Sequence, residues 1–296
     1  MIEPLLVALL LEILDVPRWW RGHLVSRLIP PQIHPVSLYY RLVAPLARDG
    51  GLRRGVLIAS TAPAVAAAVA VFMWLVNKHI GGLAAVLIEG YMLKLTFSIT
   101  HIIYPCLWRL SKPDFPRVVQ EFVRRDLSNA SRGHVNSACI ETAAESLVDS
   151  FISPLFWYAI LGLPGAWLQR LVNTLDGLVG FPERGRLGAP SAYLDTAMNY
   201  IPARVAALLI LAVGGFRNAQ WLSQRRAVPS INAGWPIAAM AAALGVRLEK
   251  PGAYSLGGGS LPDEGAVRRG LATTALAAAA WSAVIMLIIW IKCQYF

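Results

Sequence analysis

The chain has 296 residues, 56% of them hydrophobic and only 15% charged, with a mean hydropathy of +0.52; that balance excludes an ordinary soluble domain and points to a membrane protein. Its formal net charge is +10, but no basic helix or nucleic-acid-binding fold gathers the excess, which sets nucleic acid aside and leaves anionic lipid and phosphorylated substrates to account for it. Three cysteines without paired spacing and five scattered histidines argue against a disulfide framework and a zinc site.

In chain order, residues 4–14, "PLLVALLLEIL", are too short to span comfortably and lack the charged start and cleavage site of a secretory signal, so they are expected to be retained and partly embedded. Loops are predicted at "VPRWWRGH" (16–23) and "IPPQIHP" (29–35). Two stretches then have the length and apolarity to cross a bilayer, 55–76 and 81–103, joined by a tight turn at 77–80; a third follows at 271–291. Glu89 and Lys94, inside the second, are expected to face the protein interior or a neighbouring helix. Seven Lys and Arg precede Gly55, six lie between Tyr104 and Ser146, and seven lie between Phe216 and Gly270, which places all three regions in the cytoplasm and the C-terminus outside. Residues 147–168 carry Asp149, Pro154, Gly162, Pro164 and Gly165, a mixture that predicts a broken or re-entrant helix, and 201–216 are too short to span well. Further loops are predicted at 180–191, 225–236 and 250–265. With no internal repeat, the expectation is one polytopic domain over 1–296: an all-α integral membrane protein of about three clear transmembrane helices, with broken or re-entrant helices carrying a site on the cytoplasmic side of the cell membrane.

The polar constellations come next. In "SACIETAAESLVDSF", Glu141, Glu145 and Asp149 recur every fourth residue, so on a helix they share a face over about 12 Å. Like charges so placed repel, and either the nearby Arg124, Arg125 and Arg132 or a hard divalent cation would relieve them. Asp126 lies just upstream. In "VNTLDGLVG", Asn173 and Asp176 can face one partner; in "YLDTAMNYIPAR", Asp195 and Asn199 share a face, Pro202 suits the first turn of a new helix and Arg204 sits at its positive end, where an anion would be stabilised or where the residues form an ordinary cap. Asn232 and Gly234 lead through Pro236 into an Ala-rich helix. The Gly-rich "SLGGGS" lacks the Lys-Ser or Lys-Thr of a phosphate loop and reads as a flexible loop.

Taken in order, "IETAAESLVDSFISPLFWYAILGLPGAWLQRLVNTLDGLVGF", "LDTAMNYIPAR" and "NAGWPIAAMAAALGVRLEKPGAY", with "LDVPRWW" and "HPVSLYYRLV" ahead of them, resemble the membrane-bound adenosylcobinamide-phosphate synthases of cobalamin biosynthesis, the CobD/CbiB family, from about Asp15 to Tyr254. The resemblance implies an ATP- and magnesium-dependent amide synthesis between adenosylcobyric acid and aminopropanol phosphate or a related amino-alcohol phosphate. It implies catalytic roles for Glu141, Glu145, Asp149 and Asp176, magnesium at Glu141, Glu145 and Asp149, and substrate or phosphate binding by Arg125, Asp126, Asn173, Asp195, Asn199, Arg204 and Asn232. The chain departs from the family at Val16, Ser146 and Leu194, where "GDP", "AEN" and "DD" are usual. The alternative is a non-enzymatic membrane paralogue of the AmpE type, which would bind a ligand without forming an amide. Self-association and contact with other corrin-pathway enzymes are left open.

Overall fold

The structure, a computed structural model, describes residues 2–15 and 34–295. The loops predicted over 16–23 and 29–33, the "VPRWW" part of the resemblance and Val16 lie outside them. The packing resolves into two compact units: residues 1–98, 153–199 and 283–296 form one, and 99–152 and 200–282 the other.

In the first unit, α1 (Ile2–Leu14) packs along α4 (Gly82–Lys94), and α3 (Leu52–His79) along α9 (Leu163–Val179). Helix α2 (Pro35–Val43) also packs on α9, and α8 (Ser153–Leu161) is its hairpin partner. The α8–α9 break falls at Gly162, whose φ of 68° is one that side-chain-bearing residues rarely adopt. The buried charges are paired within this unit. Lys94 Nζ lies 2.9 Å from Glu12 Oε2 and 3.1 Å from Asp15 Oδ2, and Glu89 accepts the Tyr158 hydroxyl at 3.0 Å. Lys94 and Glu89 thus face neighbouring helices, as their position in an apolar stretch requires.

The second unit holds α5 (Thr100–Arg109), α6 (Phe115–Gln120) and α7 (Arg132–Leu147), capped by Ser131 Oγ, which accepts the His134 backbone N–H. Helix α11 (Gly234–Leu244) and an antiparallel hairpin of β1 (Arg247–Lys250) and β2 (Tyr254–Gly257) pack on α7. Alternation puts Leu248 and Leu256 in the core and leaves the neighbouring polar residues toward the surface. Two long helices complete the chain, α10 (Gly185–Gly214) and α12 (Glu264–Tyr295).

Among the described residues, three helical stretches are long and apolar enough to cross a membrane: Leu52–His79, Pro182–Gly214 and Glu264–Tyr295. The first and third match the expected spans. The second expected span, 81–103, is instead two helices separated by residues 95–99. Residues 201–216 are not a short segment but belong mainly to the second half of α10, and the loop expected over 180–191 is already helical from Gly185. Pro202 therefore lies inside a helix rather than at a helix start, and Arg204 is not at a positive helix end. A proline there cannot donate to the carbonyl four residues back. That carbonyl, Met198 O, accepts the Trp157 indole N–H at 3.0 Å, so the helix runs on without an orphaned acceptor. Residues 147–168 are broken, as expected, into a π-helical turn (Val148–Ile152), α8 and the start of α9. Among the described residues the hairpin is the exception to an all-helical architecture, lying partly within the loop expected over 250–265.

Candidate functional site

The acidic face of α7 lines a cavity of about 240 Å³ in the second unit, walled by Arg124, Arg125, Glu141, Glu145, Lys250 and Tyr254 among others. Glu141 is almost fully buried at 4% exposure and is held from three sides. Its Oε1 accepts from Ser137 Oγ at 2.6 Å and from Arg125 Nη2 at 3.2 Å, and its Oε2 from the Tyr254 hydroxyl at 2.7 Å. Ser137 also accepts the Glu249 backbone N–H at 2.7 Å, so strand β1, helix α7 and the loop carrying Arg125 converge on one carboxylate. Glu145, one turn along, is pushed up to about 7, first by burial and then by the Glu141 charge, against the opposing pull of Lys250 and Arg125. Glu145 is half-buried and lines the cavity. Burial and the adjoining carboxylate also raise the Tyr254 phenol above its ordinary range, so it remains a donor to Glu141.

Asp149 does not extend this stripe. The α-helical register ends at Leu147, and Asp149 falls in the π turn, away from the lining of the cavity. Among the described residues no three His, Cys, Asp or Glu side chains come together as a metal-holding set, and of the expected triplet Glu141 and Glu145 line this cavity. A pair suits magnesium, which usually takes one or two carboxylates and completes its shell with water and substrate phosphate. The cavity has that donor set, with Arg124, Arg125 and Lys250 beside it to meet phosphate charge. Asp126 is turned into a local loop, accepting from Ser128 N at 2.9 Å and Ser128 Oγ at 2.8 Å; those bonds hold its carboxyl below the usual range.

Arg204 and Asn232 meet in the same unit, Nη1 to Oδ1 at 2.9 Å, at the edge of a second cavity. Asn173, Asp195 and Asn199 join in the first unit. Asp195 Oδ1 accepts from Asn173 at 3.2 Å and from Asn199 at 3.0 Å, and Asn199 Oδ1 accepts from Gln169 at 3.3 Å, linking α9 to α10. Asp176 lies on the same helix as Asn173, and its charge acts on Asp195. Within the second unit, Arg125, Glu141 and Glu145 gather at one cavity and Arg204 and Asn232 at another; within the first, Asn173, Asp176, Asp195 and Asn199 gather between α9 and α10. Sequence reasoning missed Ser137, Lys250, Tyr254 and Gln169. Ser137 stands four residues before Glu141, a spacing that could have flagged it; Lys250 and Tyr254 arrive from a hairpin more than a hundred residues away.

Among the described residues these features define a helical protein with one hairpin, three helices able to cross a membrane and a mixed-charge pocket built on α7. The chain belongs to the CobD/CbiB family: the model of the "CobD/Cbib protein" family matches residues 5–283. Curated relatives named "probable cobalamin biosynthesis protein CobD" include one from Aeropyrum pernix, 39% identical with 77% of each chain covered. Another, from Pyrococcus abyssi, is 35% identical over 88% of this chain and 90% of its own. A third, from Thermoplasma volcanium, is 37% identical over 75% of this chain and 79% of its own. No solved structure matches the chain.

Proposed function

We propose that this chain acts in cobalamin biosynthesis as a membrane-bound, ATP-dependent amide synthase, joining the free carboxylate of adenosylcobyric acid to the amine of aminopropanol phosphate or a similar amino-alcohol phosphate. The observation that carries the reading is the α7 cavity, in which two carboxylates face three cationic side chains. A carboxylate is a poor acyl donor until one oxygen becomes a leaving group. ATP supplies this by transferring its γ-phosphoryl group to the corrin carboxylate, with ADP leaving; the amine then attacks the acyl carbon and phosphate departs. Magnesium, held by Glu141 and Glu145, would neutralise phosphate charge. Arg125 holds Glu141 in place and, with Arg124 and Lys250, presents positive charge to the phosphoryl oxygens. Tyr254 and Ser137 fix the Glu141 carboxylate in one orientation. The names of the relatives and the family match support the pathway.

The test is turnover by detergent-purified protein given adenosylcobyric acid, aminopropanol phosphate, ATP and magnesium. Wild type should form adenosylcobinamide phosphate, and Glu141→Gln should fold normally and lose turnover by at least a hundredfold. Absence of turnover by well-folded wild type, with ATP still bound, would favour the non-enzymatic paralogue.

A further inference from the structure

The second unit contains a cavity that the α7 chemistry does not use. It encloses about 400 Å³, within the size range of small-ligand sites, and is lined by Tyr200, Arg204, Arg225, Arg226, Ser230 and Trp235 together with apolar neighbours. Three arginines face one space, and no Asp or Glu is among the lining residues. Among the described residues none of the three makes an ion pair. Two are fixed without using up their charge. The Arg204 guanidinium stacks 3.5 Å from the Tyr200 ring centroid and donates to Tyr200 O at 2.6 Å and to Asn232 Oδ1. The Arg225 guanidinium lies 4.3 Å from the Trp235 centroid and donates to Leu222 O at 3.0 Å. Aromatic faces and neutral oxygens orient guanidinium groups but leave their positive charge uncompensated. The Arg226 side chain is exposed and makes no hydrogen bond among the described residues.

We propose that this cavity is a phosphate-ester site that works without a metal ion, and that its occupant is a small phosphomonoester. Three uncompensated guanidiniums in a carboxylate-free space favour an anion, and the planar fork of arginine matches phosphate oxygens in pairs. The absence of acidic lining separates it from the α7 cavity, whose two carboxylates would repel a bare phosphate and suit a metal-bound one. Identifying the occupant as the amino-alcohol phosphate rests on the proposed function; the site itself does not. The phosphate would then be gripped here while the amine, finding no acid in this cavity, projects out of it. A phospholipid headgroup offers related chemistry, and the experiment separates the two sources.

The test titrates aminopropanol phosphate into the full-length detergent-purified protein in the presence of EDTA, with unphosphorylated aminopropanol as the control. Wild type should bind the phosphorylated compound and not the control. Arg226→Gln, a change on the surface, should weaken binding about tenfold, and Arg225→Gln together with Arg226→Gln about a hundredfold, at unchanged thermal melting. In turnover assays the same variants should raise KM for the amino-alcohol phosphate and leave KM for ATP as in wild type. Binding with EDTA but without turnover would overturn the amide-synthase reading and keep this site. Turnover with an unchanged amino-alcohol-phosphate KM in the double variant would overturn the site and keep the reading. Mass spectrometry showing phospholipid that copurifies with wild type and not with the double variant, and that blocks the titration, would assign the cavity to a headgroup and overturn the phosphomonoester.

Discussion

Glu145 is held above the ordinary carboxylate range by its surroundings. Its carboxyl titrates near 7 because burial and Glu141 outweigh Lys250 and Arg125. A carboxyl with a raised folded-state value binds its proton more tightly folded than unfolded, so it contributes stability that is full below the unfolded value near 4.5 and lost as pH rises through about 7. Metal-free wild type should therefore melt at a lower temperature at pH 8 than at pH 5, and Glu145→Gln should flatten that difference. Magnesium added at pH 8 should restore the wild-type melting temperature and leave the variant's unchanged. Equal pH profiles for the two proteins would remove the basis for Glu145 as a cation ligand. Tyr254 makes a separate prediction. It is the donor to Glu141 Oε2, while Arg125 and Ser137 serve Oε1. Tyr254→Phe should lose about 1 to 2 kcal/mol of stability, measured by denaturant unfolding, and at least tenfold in turnover. Retained turnover would make Tyr254 a packing residue only.

At the scale of elements, α10 shows how distant contacts decide a local question. Pro202 and the Gly- and Pro-bearing run at 180–191 read as breaks because each weakens a helix locally. The helix persists because Trp157, forty-one residues away, supplies the donor that Pro202 lacks. Trp157→Phe should leave the Met198 carbonyl without that donor and destabilise the protein by about 1–3 kcal/mol, read as a lower unfolding midpoint; an unchanged midpoint would mean that water already serves the carbonyl. The same reasoning separates what was legible from what was not. Helices α3 and α12 announced themselves by length and apolarity alone. The i,i+4 spacing found Glu141 and Glu145, but the π turn that removes Asp149 leaves no simple mark in that spacing. Lys250 and Tyr254 were hidden in a stretch that looked like flexible loop, because the turn-rich sequence there masks a short hairpin that packs on α7.

For the whole molecule, the length of α10 conflicts with the charge count. Counting basic residues put both the region before Gly55 and the region 216–270 in the cytoplasm. Arg184, just ahead of α10, donates to the carbonyls of Ala47 at 3.3 Å and Arg48 at 3.1 Å. Leu187 O comes so close to Gly55 that a Cβ there would overlap it. The starts of α3 and α10 therefore share one membrane face. If α10 crosses, the residues from 216 to the start of α12 emerge on the other face, and the Glu141–Tyr254 bond keeps the α7 pocket with them. The segments that go with the pocket carry six basic residues between Tyr104 and Ser146 and seven between Phe216 and Gly270; around the starts of α3 and α10 the described basic residues are Arg41, Arg48, Arg53 and Arg54 with Arg184 and Arg186. The positive-inside bias then predicts that the pocket faces the cytoplasm and that α3 starts outside. In a Cys293→Ser background, with Cys106 and Cys139 buried, the exposed positions 183 and 230 serve as reporters. Glu183→Cys should react with an impermeant thiol reagent in right-side-out cells, and Ser230→Cys only in inverted vesicles. Protection of both from outside would mean that α10 lies within one leaflet, and that the original placement of the N-terminal region in the cytoplasm was correct.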